Sequence, residues 1–344
     1  MFFSAHKSLS RTVILTVTAL LAAAMLAGCG AQTPVQTDAA TEPVPTETTT
    51  APTQTDAAFY TFTDDTGREI VLEAAPERVA VLFSSFADIW NTAGGEIAVT
   101  VGESVERGFA DEDAALVDAG AGKSIDRELL VSFEPDFVIC SADIAAQAEA
   151  ADFLNDAGIP CAQFHVESFE EYLSMLKICT DITGNQEAYD TYGLQVQERV
   201  EQIRAAIQEK NADSQPNILF IRAGSQYSST KAKTAEDNFV CSMLKEMGTY
   251  NIAENAPILL DGLSFEEVLL SNPDFIFIST MGDEEAAKAY MDSVLTQEEW
   301  QQLDAVKSGR YAYLPKELFQ FKPNARWDEA YAYLADLLEE GNLS

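Results

Sequence analysis

Glu128-Leu129-Leu130-Val131-Ser132-Phe133-Glu134-Pro135-Asp136-Phe137-Val138-Ile139 and Glu266-Glu267-Val268-Leu269-Leu270-Ser271-Asn272-Pro273-Asp274-Phe275-Ile276-Phe277 share one pattern. Each opens a short helix on a Glu, reaches a Pro-Asp turn seven residues later, and runs into an unalternating apolar strand. Proline cannot continue a helix, and a strand apolar at every position is buried on both faces, as in a parallel sheet covered by helices. Two copies in separate halves of the chain predict two α/β lobes. Pro-Asp turns between helix and strand are common on their own, so the flanking sequence must carry part of the argument.

It does. Val79 to Phe83 is a continuous apolar strand, Ser84-Ser85 a turn, Phe86 to Ala93 an apolar-periodic helix, and Gly94-Gly95 its stop. Ile97–Val101, Phe137–Cys140 and Cys161–Phe164 read as further strands, with helices over Ile144–Ala157 and Phe169–Thr180 between them. Ahead of these, Phe62 to Ile70 reads as a hairpin turned at Gly67. Val196, Val200, Ile203 and Ile207 keep helical spacing through a long segment over residues 186–212 that joins the lobes. Asn217–Ile221 then opens a second α/β set with strands Phe275–Ile278 and Tyr311–Leu314 and a closing helix from about Ala325 to Glu340. The expected lobes are residues 59–185 and 213–344, two Rossmann-like α/β bodies on one helix.

The chain has 344 residues, 47% of them hydrophobic, which supports real cores and excludes disorder throughout. Lys and Arg number 21 against 56 Asp and Glu, a formal charge of −35 that repels phosphate backbones, so nucleic acid is not an expected partner. Two histidines, His6 and His165, remove the imidazole clusters of transition-metal sites, so no resident metal or cofactor is expected. The five cysteines lack zinc-type spacing or disulfide-scaffold density; Cys140, Cys161, Cys179 and Cys241 read as small buried hydrophobes, with a Cys140–Cys161 bridge left open.

Lys7 and Arg11 precede an apolar run from Val13 to Ala27 that is short for a membrane span. Residues 1–28 are therefore read as a signal peptide. It ends in Leu26-Ala27-Gly28-Cys29, which resembles the bacterial lipobox and makes Cys29 the expected lipidation site. Residues 29–58 follow as a Thr/Pro-rich tether too poor in apolar side chains to fold. The expected location is the outer face of the cell membrane, held by lipidated Cys29.

Tyr60 to Phe83, with Asp65-x-Gly67-Arg68-Glu69 and Ala75-Pro76-Glu77-Arg78-Val79, resembles the opening of the substrate-binding lipoproteins of iron-siderophore, haem and cobalamin ABC importers. Leu303-x-Ala305-Val306-Lys307-x-Gly309-Arg310 and the closing helix resemble the same family, over about residues 59–340. Lys231-x-Lys233, Leu314-Pro315-Lys316-x-Leu318-Phe319 and Lys322-Pro323-Asn324-Ala325-Arg326-Trp327 are similar to a subgroup assigned to iron-complex uptake. The resemblance implies the class III bilobed fold, low internal mobility, a small-molecule metal chelate held between the lobes, and docking onto a permease dimer with its ATPase. It also implies that Glu128 and Glu266 face permease arginines, although a Glu in a first helical turn equally complements the helix dipole. A monomer is expected.

Ligands of open α/β sheets bind beyond the carboxyl ends of strands. By that rule Ser84, Ser85, Phe86, Arg107 and His165 are candidate ligand-binding residues of the first lobe. Arg222, Tyr227, Lys231, Lys233, Arg326 and Trp327 are those of the second. Cations near strand ends in so acidic a chain suit an anionic ligand, with Arg supplying a planar donor fork and Tyr227 and Trp327 flat apolar walls. His165 reads either as a cap on bound iron or as a strand-end histidine bonded to its surroundings. An extracytoplasmic hydrolase is the rival class, but the chain has no Gly-x-Ser-x-Gly, His-Glu-x-x-His or phosphate loop. Haem or cobalamin remains the alternative cargo.

Overall fold

The computed structural model describes residues 58–340. The expected signal peptide, lipidation site Cys29 and tether up to residue 57 lie outside the described residues. The first lobe begins with an antiparallel hairpin, β1 (Tyr60–Thr63) and β2 (Glu69–Leu72). Its turn is fixed by Asp64, whose carboxylate accepts from the backbone N–H of Thr66 and Arg68 (both 3.0 Å) and, across the lobe, from that of Gln163 (3.0 Å). One buried carboxylate thus closes the hairpin and ties it to the sheet.

That sheet is made of β3 (Val79–Val81), β4 (Val99–Val101), β5 (Ala115–Asp118), β6 (Phe137–Ser141) and β7 (Cys161–Phe164), parallel and in the order β5-β4-β3-β6-β7. Its helices are α1 (Ser84–Thr92), α2 (Gly102–Glu106), α3 (Arg127–Ser132), α4 (Ala145–Asp156) and α5 (Phe169–Thr183). The connection is α6 (Gln186–Tyr189), a π-helical turn over Asp190–Leu194, and α7 (Gln195–Asn211). The uninterrupted helix expected here is therefore broken in its ladder. Gly193 sits in the π turn, and a Cβ there would come within 2.9 Å of Leu173 Cδ1, so the small residue lets α5 approach.

The second lobe comprises β8 (Asn217–Ala223), β9 (Lys231–Ala232), α8 (Phe239–Glu246), β10 (Tyr250–Asn251), α9 (Ile258–Asp261), α10 (Phe265–Ser271) and β11 (Phe275–Thr280). It continues through α11 (Glu284–Leu295), α12 (Asp304–Lys307), β12 (Tyr311–Tyr313), α13 (Lys316–Phe319) and α14 (Trp327–Glu340). Strands β10-β8-β11-β12 are parallel, and β9 adds antiparallel to β8.

The two Pro-Asp segments do the same mechanical job. Glu134 (φ 49°) and Asn272 (φ 39°) reverse the chain in the left-handed region after α3 and α10. Asp136 then donates its N–H to Arg78 O (3.1 Å) while its carboxylate accepts from the Glu77 and Arg78 N–H groups (2.7 and 2.9 Å). Asp274 repeats this with Asn217, donating to its carbonyl (2.7 Å) and accepting from its N–H (2.9 Å). Each Asp clamps the start of its own strand to the start of the neighbouring one.

Alternate residues along each strand sort to opposite sides. Ala80, Leu82, Val138 and Cys140 pack on the outer face of the first sheet, and Leu219, Ile221, Ile276 and Ile278 on that of the second. The other faces share one core, running from Phe137, Phe164 and Tyr172 through Val196, Val200 and Ile207 of α7 to Phe220, Phe277 and Tyr331. At its centre Trp327 is fully buried, edge-on to Phe169 of the first lobe (6.3 Å) and to Phe239 of the second (5.6 Å). The four described cysteines are buried free thiols; Cys140 and Cys161 have their sulfurs 3.7 Å apart, in contact but unbridged.

Trp327→Ala is expected to cost about 3–5 kcal/mol, read as a lower urea midpoint, with Trp327→Phe recovering most of it. Because the core spans both lobes, tryptophan fluorescence and far-UV circular dichroism should trace one coincident unfolding transition.

Candidate functional site

A cavity of 370 Å³ opens between the lobes, with Asp88, Arg107 and Phe109 contributed by the first and Glu317, Phe321, Lys322, Pro323 and Arg326 by the second. A separate depression of 330 Å³ around Glu96, Phe109 and Asp111 belongs to the first lobe alone. Of these two, the 370 Å³ cavity has the two-sided character that a cleft ligand needs.

Arg107 is brought there by the end of α2, beside the first turn of α1, where a parallel strand hands over to its helix. Its Nη1 donates to Ser84 Oγ (2.9 Å) and Ser85 Oγ (3.4 Å), and Ser84 in turn donates to the Glu103 carboxylate. Its guanidinium lies 4.6 Å from the Phe109 ring and 3.8 Å from the Phe321 ring. Burial pulls the Arg107 pKa below the usual arginine value, while Glu103 and Asp88 oppose that shift; an arginine remains charged throughout. Asp88 is pushed above the carboxylate range by burial, despite the Asn324 amide and the charges of Arg107 and Arg326.

Ser84 and Ser85 are themselves buried, so they hold Arg107 and do not meet a ligand. Phe86 departs from the expectation more sharply: it is a core residue packed edge-on to Phe83 (5.0 Å) and Phe164 (6.3 Å). Trp327 departs in the same way, since its rings are spent on Phe169 and Phe239 and leave no wall for the cleft.

In the second lobe, two expected cations, Lys233 and Arg326, and the neighbouring Lys322 are neutralised where they stand. Lys233 pairs with Asp237, Arg326 with Glu329 (2.7 Å), and Lys322 crosses the cleft to Glu167 (2.5 Å) while its ammonium lies 5.0 Å from the Phe239 ring. Burial would raise Asp237, but Lys233 and the Thr234 N–H outweigh it and hold that carboxyl low. Arg222 and Lys231 are different. They sit directly opposite each other in the β8–β9 ladder, hence on one face, and neither has a carboxylate partner among the described residues; Arg222 Nη2 donates only to Met281 Sδ (3.0 Å). Opposed like charges cost stability unless an anion answers them. Tyr227 is 57% exposed on a turn made rigid by Thr230, whose Oγ1 bonds both the N–H and the carbonyl of Gly224 (3.1 Å each). Its ring lies against Gly262, where a Cβ would come within 2.6 Å of the hydroxyl.

His165 stands at the end of β7 and is not among the cavity's lining residues. Its Nδ1 bonds Asp143 (2.7 Å), its Nε2 faces Glu171 (3.8 Å), and its backbone N–H donates to Asp65 (2.8 Å). Burial alone would lower its pKa, but Asp143, Glu171 and Glu167 together raise it. Among the described residues no group of three or more His, Cys, Asp or Glu could hold a metal ion. Asp88 and Glu103 are site residues that sequence reasoning missed; Phe321 was not singled out, although it lies within the Phe319–Trp327 stretch that follows β12 and was expected to face a ligand.

Glu128 and Glu266 are exposed in the first turns of α3 and α10. Exposed leucines lie on the same helices, Leu129 beside Glu128 and Leu270, 81% exposed, one turn beyond Glu266.

Residues 79–318 match the family described as "Periplasmic binding protein". No match was found among curated proteins. Among solved structures, Staphylococcus aureus SirA complexed with staphyloferrin B superposes with a TM-score of 0.60 at 16% identity, over 82% of this chain and 98% of that one. An ABC transporter substrate-binding protein from Listeria monocytogenes EGD-e gives 0.62 at 17%, over 78% and 100%. The periplasmic heme-binding protein RhuT from Roseiflexus sp. RS-1 gives 0.58 at 18%, over 77% and 98%. The lobe architecture and the match across most of the sequence lead to one conclusion: this chain belongs to the periplasmic binding protein family.

Proposed function

We propose that this protein is the extracytoplasmic substrate-binding component of an ABC importer, capturing an anionic iron complex such as a ferric siderophore and delivering it to a permease dimer and its ATPase. One observation carries the reading. In a chain of net charge −35, a cavity framed by both lobes keeps Arg107 on one side, and the second lobe keeps the Arg222–Lys231 pair, none of them in an ion pair among the described residues, although Glu103 and Asp88 stand near enough to Arg107 to favour its charge. Acids beyond a screening length of about 8 Å are largely screened, so the cavity's own Arg107, Lys322 and Arg326 and its Asp88 and Glu317 set the local field. The named cargo of SirA, staphyloferrin B, is of the proposed kind, whereas RhuT is named for haem. The role is binding and handover, with no chemistry on the cargo. The N-terminal sequence supports anchoring through lipidated Cys29, and a monomer on that tether suffices for delivery. The lobes as proposed domains are residues 59–185 and 213–344.

Tryptophan fluorescence titration of residues 59–344 against ferric siderophores, haemin and cobalamin tests the cargo: quenching by ferric chelates is expected, and quenching by cobalamin alone rejects the iron reading. Arg222→Ala is expected to weaken an anionic chelate about ten- to a hundredfold, whereas Arg326→Ala, whose charge already serves Glu329, should change affinity little.

Docking is tested separately. Glu128→Ala combined with Glu266→Ala should leave chelate affinity intact and abolish import into cells; normal uptake would exclude these residues from the docking contact.

His165 is assigned here to an electrostatic tie with Asp143 and Glu171, not to the cargo. Its folded pKa lies above the usual 6.5, so the stability it adds is complete below that pH and fades as pH rises through the folded value. His165→Gln should therefore be less stable than the parent in acid and converge with it on the alkaline side, as read by urea midpoints across pH.

A further inference from the structure

Most of the hydrogen-bonding and stacking surface of the Arg107 guanidinium is already occupied. Nη1 is committed to Ser84 and Ser85, and Ser84 is itself oriented by Glu103. The Phe109 and Phe321 rings lie against the cation, Phe321 the nearer at 3.8 Å. What remains is the edge carrying Nε and Nη2, which has no protein acceptor among the described residues and belongs to a side chain lining the cavity. Two parallel N–H donors on one edge match the two oxygens of a planar anion.

Phe321 differs from the other members of this cage because it comes from the second lobe. It is held from both sides: its N–H donates to Lys316 O (3.2 Å), and the next residue, Lys322, is tied across the cleft to Glu167. An arginine side chain left free has much rotamer entropy to lose on binding, and a cage that removes this freedom beforehand raises affinity without touching the ligand.

Building on the cleft reading above, we propose that Phe321 is a positioning residue that fixes Arg107 so that its Nε–Nη2 edge receives a planar two-oxygen anion of the cargo, a carboxylate or its equivalent. The anion receptor is thus shared: the first lobe supplies the cation and the second lobe aims it.

The test has a ligand-free arm and a binding arm. In protein labelled with 15N-arginine, the Arg107 Nε–Hε signal, identified by its loss in Arg107→Lys, should be displaced by ring currents in the parent and in Phe321→Tyr and return toward the unstructured position in Phe321→Leu. A signal indifferent to Phe321→Leu overturns the proposal. With ferric citrate as the probe, Phe321→Leu should weaken binding about three- to thirtyfold, Phe321→Tyr should restore it, and Phe321→Leu should have no further effect in the Arg107→Lys background. Equal losses in both backgrounds would mean ordinary packing and overturn it. Binding of cationic ferrioxamine B in preference to ferric citrate would also overturn it, together with the anionic character of the proposed cargo, while leaving iron-complex capture itself standing; failure to bind any ferric chelate would overturn both.

Discussion

The separation of the lobes is set by an indole buried between them. Trp327 belongs by sequence to the last helix, but it is packed as much by Phe169 of the first lobe as by Phe239 of the second. Around it the core continues from one sheet to the other through α7. Asn324 completes the seam with polar precision, its side-chain amide donating to Ser85 O (2.8 Å) and Asp88 (2.7 Å). Interiors packed at this density do not slide gradually, so the cavity walls keep a fixed spacing. A fixed cavity loses little conformational freedom on binding, which suits a substrate-binding protein.

Electrostatics follow from where acids stand relative to the few bases. Several cations are answered by a carboxylate three or four residues away in sequence, and such largely exposed pairs contribute little beyond cancelling charge. Among the described cations without a carboxylate ion pair, Arg222 and Lys231 stand on neighbouring strands. Arg222 opposes Lys231 across a two-residue strand, an arrangement that a sequence free to choose would avoid. The fold tolerates that repulsion near the carboxyl end of β8, the end of an open α/β sheet beyond which ligands generally bind.

What the sequence disclosed depended on whether an element carried its own punctuation. The Pro-Asp segments did, and the structure adds only the reason: Asp136 and Asp274 clamp paired strands at their starts. The strands β9 and β10 carried none, since two residues have no period to detect, and β5 went unread although β3, β4, β7 and β12 are as short or shorter. Ion pairing divided along the same line. Lys233–Asp237 and Arg326–Glu329 lie at helical spacings and were in principle readable, whereas Lys322–Glu167 joins residues from different lobes. Trp327 was misplaced for a related reason. A tryptophan at a helix start looks the same whether a chelate or two phenylalanines will cover it, and those phenylalanines lie far away in the chain.

The π turn at Asp190–Leu194 has a geometric consequence for the whole connection. It inserts one extra residue into the ladder, and since each residue of an α-helix advances by about 100°, everything downstream is rotated by that amount relative to an unbroken helix. The stripe formed by Val196, Val200 and Ile207 meets the shared core in this rotated phase. The surplus residue therefore acts as an angular shim, setting how the rear body of the molecule is clocked against the front one.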